Sequence, residues 1–117
     1  MRRGEIWLAN LDPTFGTEAS KLRPCVIVSN DDANRTVEKL SRGVVTVVPL
    51  TTNTRRIHPF QVLVTVDDVN GLAADSKAQA EQIRALDFTR FAKRLGVLST
   101  EMQAALDDAL LTHLALT

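Results

Sequence analysis

A length of 117 residues suits one domain with one hydrophobic core and leaves no room for two. Hydrophobic residues at 44% and charged residues at 24% exclude a disordered chain. Fourteen basic residues balance fourteen acidic ones, so net charge selects no polyanion, and a nucleic-acid role must rest on a local patch.

The single cysteine forbids an intrachain disulfide and fits a reducing compartment. Cys25 lies in Pro-Cys-Val-Ile-Val and reads as a buried, inert thiol. The N-terminal Met-Arg-Arg-Gly-Glu-Ile-Trp lacks the apolar core of a signal peptide. No apolar run approaches the ~18 residues of a spanning helix, so the expectation is a cytoplasmic chain with no membrane partner.

In chain order, Gly4 to Leu11 reads as a first strand around Ile6, Trp7 and Leu8. A polar loop follows from Thr14. Arg23 to Asn30 is a second strand with an unbroken apolar centre from Cys25 to Val28. Asp31 to Glu38 is polar and reads as a loop with a short helical turn. Gly43 to Leu50 is a third strand, β-branched from Val44 to Val48, and Pro49 favours an edge or a strand end. A second polar loop runs from Thr51 to His58. Phe60 to Val66 is a fourth strand, with Val62, Val64 and Val66 on one face. Asp67 to Gly71 has turn composition.

Leu72 to Leu86 is ambiguous, because its alanines favour helix. Asp87 to Arg94 reads as one or two helical turns ended by Gly96. Ser99 to Leu116 is the clearest helix. Ser99 or Thr100 can cap it, Thr100 and Gln103 offer a capping box, and Met102, Leu106, Ala109, Leu110, His113 and Leu114 recur at helical spacing. The fold class is mainly β with helices (α+β), a small sheet or barrel covered by a C-terminal helix.

Ordinary enzyme motifs are missing. The two histidines stand far apart with no cysteine cluster, the five glycines are scattered, and no serine sits in a nucleophile elbow. No metal or cofactor is called for. What remains is three polar groups. The first loop offers Glu18 and Arg23, the second Thr51, Thr52, Asn53, Arg55, Arg56 and His58, and a third segment Glu81, Gln82 and Arg84. Gathered together they would make a donor-rich anion site, since the planar arginine fork suits phosphate. Amide side chains suit base edges, and Phe15 suits stacking on a base. Each residue also has a plain reading. Arg23 pairs with a surface acid, Glu18 is a solvated charge, Thr51 and Thr52 form a turn, Arg55, Arg56, Glu81, Gln82 and Arg84 are a solvated face, and Phe15 anchors its loop.

Taken together, several blocks resemble the MazF/PemK family of toxin endoribonucleases. They are Arg3-Gly4-Glu5-Ile6-Trp7, Asp12-Pro13, Gly16-Thr17-Glu18, and Arg23-Pro24 before an apolar strand. Val48-Pro49-Leu50-Thr51-Thr52, Glu81-Gln82-Ile83-Arg84 with Leu86-Asp87, and Gly96-Val97-Leu98-Ser99 follow in the family's order. The resemblance implies an SH3-like (CcdB/PemK-like) β-barrel in a homodimer, cutting single-stranded RNA at a short sequence without a metal. It also implies a cognate antitoxin whose tail occupies the RNA groove. Carried over by position, Arg23 and Thr51 match the main catalytic pair and Glu18 an acid near the scissile phosphate. Phe15, Thr17, Glu81 and Gln82 match groove-lining positions. Two rivals stay open: a CcdB-like gyrase-inhibiting toxin, and a non-catalytic RNA- or protein-binding barrel.

Overall fold

A computed structural model describes residues 1–12 and 22–117. Among these residues, seven strands and two helices follow one another as β1 (Glu5–Asn10), β2 (Leu22–Ile27), α1 (Asp31–Leu40), β3 (Val44–Thr51), β4 (Gln61–Val64), β5 (Ser76–Gln79), β6 (Arg84–Asp87), β7 (Phe91–Val97) and α2 (Thr100–His113). Single 3-10 turns precede β6 and β7. All the strand pairs are antiparallel, in the order β4-β5-β3-β2-β1-β7, with β6 also on β3. The fold is α+β and mainly β, as expected. Among the described residues the sheet is not closed, since its path begins at β4 and ends at β7.

The apolar runs of β2 and β3 follow from burial on both faces. Val26, Val28, Val48 and Leu50 join one core with Ile6, Val62, Val64 and Ala78, and α2 covers it with Leu106, Ala109 and Leu110. Cys25, Ile27, Val45 and Val47 point the other way. They meet Ala9, Leu11, Leu86 and Val37 of α1. Strand side chains alternate faces, so even-numbered residues of β2 and β3 build the first core and odd-numbered ones the second.

β3 takes two partners in succession along its edge away from β2. Val44 to Val47 pair with β6, and Leu50 and Thr51 pair with β5. Pro49 falls between those partners, where a missing N–H interrupts neither ladder. A central strand thus tolerates the proline that composition assigns to an edge.

Several expectations change. Residues 31–40 form a ten-residue helix, not a loop with one turn. Asn30 caps it by accepting from the Ala33 N–H at 2.8 Å, and Asp31 and Asp32 favour its positive end. Only Asn34 and Val37 turn inward, too few for a visible apolar period. The ambiguous stretch 72–86 resolves into strands at Ser76–Gln79 and from Arg84, on either side of the 3-10 turn Ala80–Gln82, because pairing with β3 and β4 overrides propensity.

Gly96 ends no helix but lies inside β7, after a 3-10 turn at Phe88–Arg90. A Cβ there would meet the Val69 carbonyl oxygen at 2.2 Å, so glycine lets the 67–71 turn lie against the strand. In α2 the cap is Ser99, the first of the two candidates, whose hydroxyl accepts from the Met102 N–H at 3.2 Å. The Thr100–Gln103 box is therefore one residue out of phase, and the buried stripe stops at Leu110, leaving His113 and Leu114 exposed. In β4, Val62 and Val64 are buried as expected, but the strand ends there and Val66 is exposed.

Candidate functional site

Alternation carries the odd-numbered rows of the sheet past the second core to its open end. On β2 the row runs Ile27, Cys25, Arg23. On β3 it runs Val45, Val47, Pro49, Thr51. The β2–β3 register sets Cys25 against Pro49, and continuing it by two residues sets Arg23 across from Thr51. On β6, Arg84 pairs with Val47 and stands two residues before the buried Leu86 on the same face. The apolar face thus ends in a polar rim made of arginines and a threonine.

This rim surrounds a cleft of about 390 Å³, lined by Leu11, Asp12, Arg23, Pro49, Leu50, Thr51, Gln79, Gln82 and Arg84. A smaller recess of about 170 Å³ adjoins it, lined by Arg23, Pro24, Leu50, Thr51, Thr52 and Ser76. Arg23, Leu50 and Thr51 line both, so the pair occupies the ridge between them.

Arg23 is exposed, and its guanidinium forms no ion pair or hydrogen bond with a described residue. The plain reading of a surface salt bridge finds no partner there. Thr51 is half-buried, and its hydroxyl oxygen accepts from the Asn53 N–H at 3.3 Å. That turn uses a lone pair and leaves the O–H free to donate into the cleft. Arg84 is anchored differently, donating from Nη1 to the Leu11 carbonyl at 2.8 Å. Arg90 reaches the same strand end and donates to the Asn10 carbonyl at 3.3 Å and to the Asp12 carbonyl. Two arginines therefore fix the backbone from which residues 13–21 leave.

The remaining residues singled out by sequence are placed as follows. Thr52 lines the smaller recess. Gln82 lines the larger cleft. Glu81 is adjacent in sequence but is absent from that lining, and its Oε2 accepts from the Gln61 amide at 2.7 Å. Its Oε1 is buried with no hydrogen-bond partner. Asn53, Arg55 and Arg56 lie exposed on the 52–60 loop, outside both linings. That loop is tied down by the buried Lys77, which donates to the Arg56 carbonyl at 2.8 Å. Phe15, Thr17 and Glu18 lie outside the described residues.

Sequence reading did not select Gln79 or Asp12 as site residues. Gln79 becomes part of the site only through the pairing of β5 with β3, which leaves no local signal. Asp12 could have been suspected from its position at a strand end before proline.

Cys25 lies beneath the rim, fully buried, and its thiol donates to the Trp7 carbonyl at 3.6 Å. Burial pushes the thiol up from its ordinary 9.0 to about 12, against the opposing pull of the Arg84 charge. It stays protonated and unreactive near neutral pH. Among the described residues, no three His, Cys, Asp or Glu side chains gather closely enough to hold a metal ion.

Comparison with known proteins places this geometry. The family described as "PemK-like, MazF-like toxin of type II toxin-antitoxin system" matches residues 2–114. The chain is 52% identical over 116 residues to the endoribonuclease MazF9 of Mycobacterium tuberculosis (strain ATCC 25618 / H37Rv), covering 99% of this chain and 98% of that one. A solved endoribonuclease in complex with its cognate antitoxin, from a mycobacterial species, has the same fold. The TM-score is 0.77 at 28% identity, over 100% of this chain and 97% of that chain. The Mycobacterium tuberculosis toxin MazF-mt6 matches with a TM-score of 0.74 at 26% identity, over 95% of this chain and 96% of that chain. The chain therefore belongs to the PemK-like, MazF-like toxins of type II toxin–antitoxin systems.

Proposed function

We propose that this chain is a sequence-specific endoribonuclease toxin that cuts single-stranded RNA without a metal ion and is neutralised by a cognate antitoxin. The observation that carries the reading is the Arg23–Thr51 pair. It couples an unpaired guanidinium with a hydroxyl free to donate, on a ridge between two recesses. An RNA phosphodiester has that shape: an anionic centre with a nucleoside on either side. The relatives' names, endoribonuclease in both the curated and the solved case, favour this reading over gyrase inhibition or simple RNA binding.

RNA supplies its own nucleophile. The 2′-oxygen attacks phosphorus, the bond to the 5′-oxygen breaks, and the ends are a 2′,3′-cyclic phosphate and a 5′-hydroxyl. A base accepts the 2′-OH proton, and the leaving oxygen takes up another. Arg23 stabilises the charge that accumulates on the phosphorane oxygens, and it does so without having to break an existing ion pair. Thr51 donates to a non-bridging oxygen. Glu18 is the candidate base. Proton donation by Arg23 is disfavoured, because a free guanidinium holds its proton to a pKa above ~12.

Gln82, Arg84 and Thr52 hold the flanking nucleotides, with Phe15 and Thr17 contributing from the 13–21 segment. Arg55, Arg56 and Asn53 extend the basic surface, and Glu81 borders the groove. Two copies of the chain would give a groove long enough for several nucleotides, so the working unit is a homodimer acting as one domain per chain. The antitoxin competes for that groove. No described helix is long and apolar enough to cross a membrane, which fits action in the cytoplasm.

The test is incubation with mixed-sequence RNA in EDTA, with the cut ends mapped. Cuts at one short motif bearing 5′-hydroxyls are expected. Recovery of 5′-phosphates would rule the chemistry out.

A further inference from the structure

Four polar residues converge where β4, β5 and the following 3-10 turn meet, and they divide into two kinds. Gln61 and Glu81 are locked together, amide to carboxylate at 2.7 Å, and Gln61 is buried. Gln79 and Gln82 are not. Neither side chain forms a hydrogen bond with a described residue, and both line the larger cleft beside Arg23 and Thr51. Gln79 is aimed by its strand. β5 pairs Ala78 with Leu50 and Lys77 with Thr51, so one further step sets Gln79 against Pro49. It therefore lies on the same face as Thr51. It is also half-buried, which limits the directions in which its amide can point.

From this placement, and resting on the ribonuclease reading above, we infer that Gln79 is a specificity-determining residue, reading the edge of the base next to the scissile phosphate. A carboxamide carries a donor and an acceptor side by side, the pattern needed to match the edge of one nucleobase with two hydrogen bonds. Single-stranded RNA exposes those edges. Arginine is a poorer reader here, because the phosphate competes for its charge. A neutral amide in the same cleft is free to report base identity. The Glu81 carboxylate on the same turn is held by Gln61 and does not line the cleft, so it stands apart from those bonds. Gln82, the second unpartnered amide, supports the same base from the turn.

The test is cut-site mapping on a random-sequence RNA pool with the full chain, Gln79→Met and Gln79→Glu, each checked by thermal unfolding. Methionine keeps the length and removes both hydrogen-bonding atoms. Glutamate keeps the shape and loses the donor. For Gln79→Met, discrimination at one position of the motif should fall by roughly 5- to 150-fold, while the other positions keep theirs. For Gln79→Glu, the preferred base at that same position should change.

An unchanged motif in both variants would overturn the inference. So would a uniform loss of cutting at every site with the motif retained, which is the signature of a merely structural role. Wild-type cuts that follow no motif would overturn it, together with the sequence specificity proposed above, while leaving RNA cleavage itself intact. Wild-type protein that leaves all RNA whole would refute the ribonuclease reading itself.

Discussion

Removing the Arg23 guanidinium should abolish activity and leave the fold alone, and the two effects can be sized separately. Arg23 is exposed and has no hydrogen-bond or ion-pair partner among the described residues, so Arg23→Ala orphans no buried group. Surface substitutions of that kind stay within about 0.5 kcal/mol. For 117 residues, an unfolding entropy of about 2.1 cal/mol/K per residue makes each kcal/mol worth roughly 4 °C. The melting temperature should therefore move by no more than about 2 °C.

Cleavage should respond on another scale. Loss of one preorganised donor to a developing oxyanion costs about 10²–10³ in rate, or about 3–4 kcal/mol. Arg23→Lys keeps the charge but loses the planar fork, and should fall between alanine and wild type. The assay is the initial cleavage rate of a short RNA carrying the mapped motif, with calorimetry on the same samples. A rate within about threefold of wild type would refute the assignment of Arg23. A loss of rate accompanied by a melting shift beyond about 6 °C would refute the claim that the side chain is structurally idle.

Two further outcomes follow from packing and titration. Gly96→Ala places a Cβ 2.2 Å from the Val69 carbonyl oxygen and 2.5 Å from the Asn70 carbonyl carbon, and neither backbone atom can yield as a side chain would. Overpacking of that kind costs about 1–3 kcal/mol, a melting drop of roughly 4–12 °C by calorimetry, and a variant melting like wild type would show that the 67–71 turn can shift freely. Cys25 should resist iodoacetamide at pH 8 in native protein and react once the chain is unfolded in guanidinium. Its folded pKa, pushed up to about 12 from 9.0, means that the folded state holds the proton more tightly. The corresponding stability is fully present below about pH 9 and is lost as pH climbs towards 12. Cys25→Ala should flatten the alkaline fall in stability, and an equally steep fall would remove the thiol as its cause.

The cores of β2 and β3 were legible because burial on both faces leaves an unbroken apolar run, which is visible in Cys25 to Val28 and in Val44 to Val48. The terminal helix was legible for the same reason, through its repeating leucines. Helix α1 was not, since a helix that buries only Asn34 and Val37 has almost no apolar period to detect. Nor were strands β5 and β6 legible from propensity. Alanine-rich segments favour helix in isolation, and only the free edges of β3 and β4 decide otherwise.

The site divides along the same line. The sequence by itself determined that Arg23 opens one apolar strand and that Thr51 directly follows another, because both apolar runs can be counted along the chain. It could not say that these runs lie side by side. The β2–β3 register decides that, and it joins residues about 20 to 24 apart in sequence. Nor could it bring in Gln79, which reaches the cleft only because β5 docks on one edge of β3, or show that Arg84, already a candidate by sequence, joins it there through β6 on the same edge. Propensity and pattern act over a few residues, whereas the partner of a strand edge is chosen by burial and backbone hydrogen bonding across the whole chain, so that part of the site exists only in the folded protein.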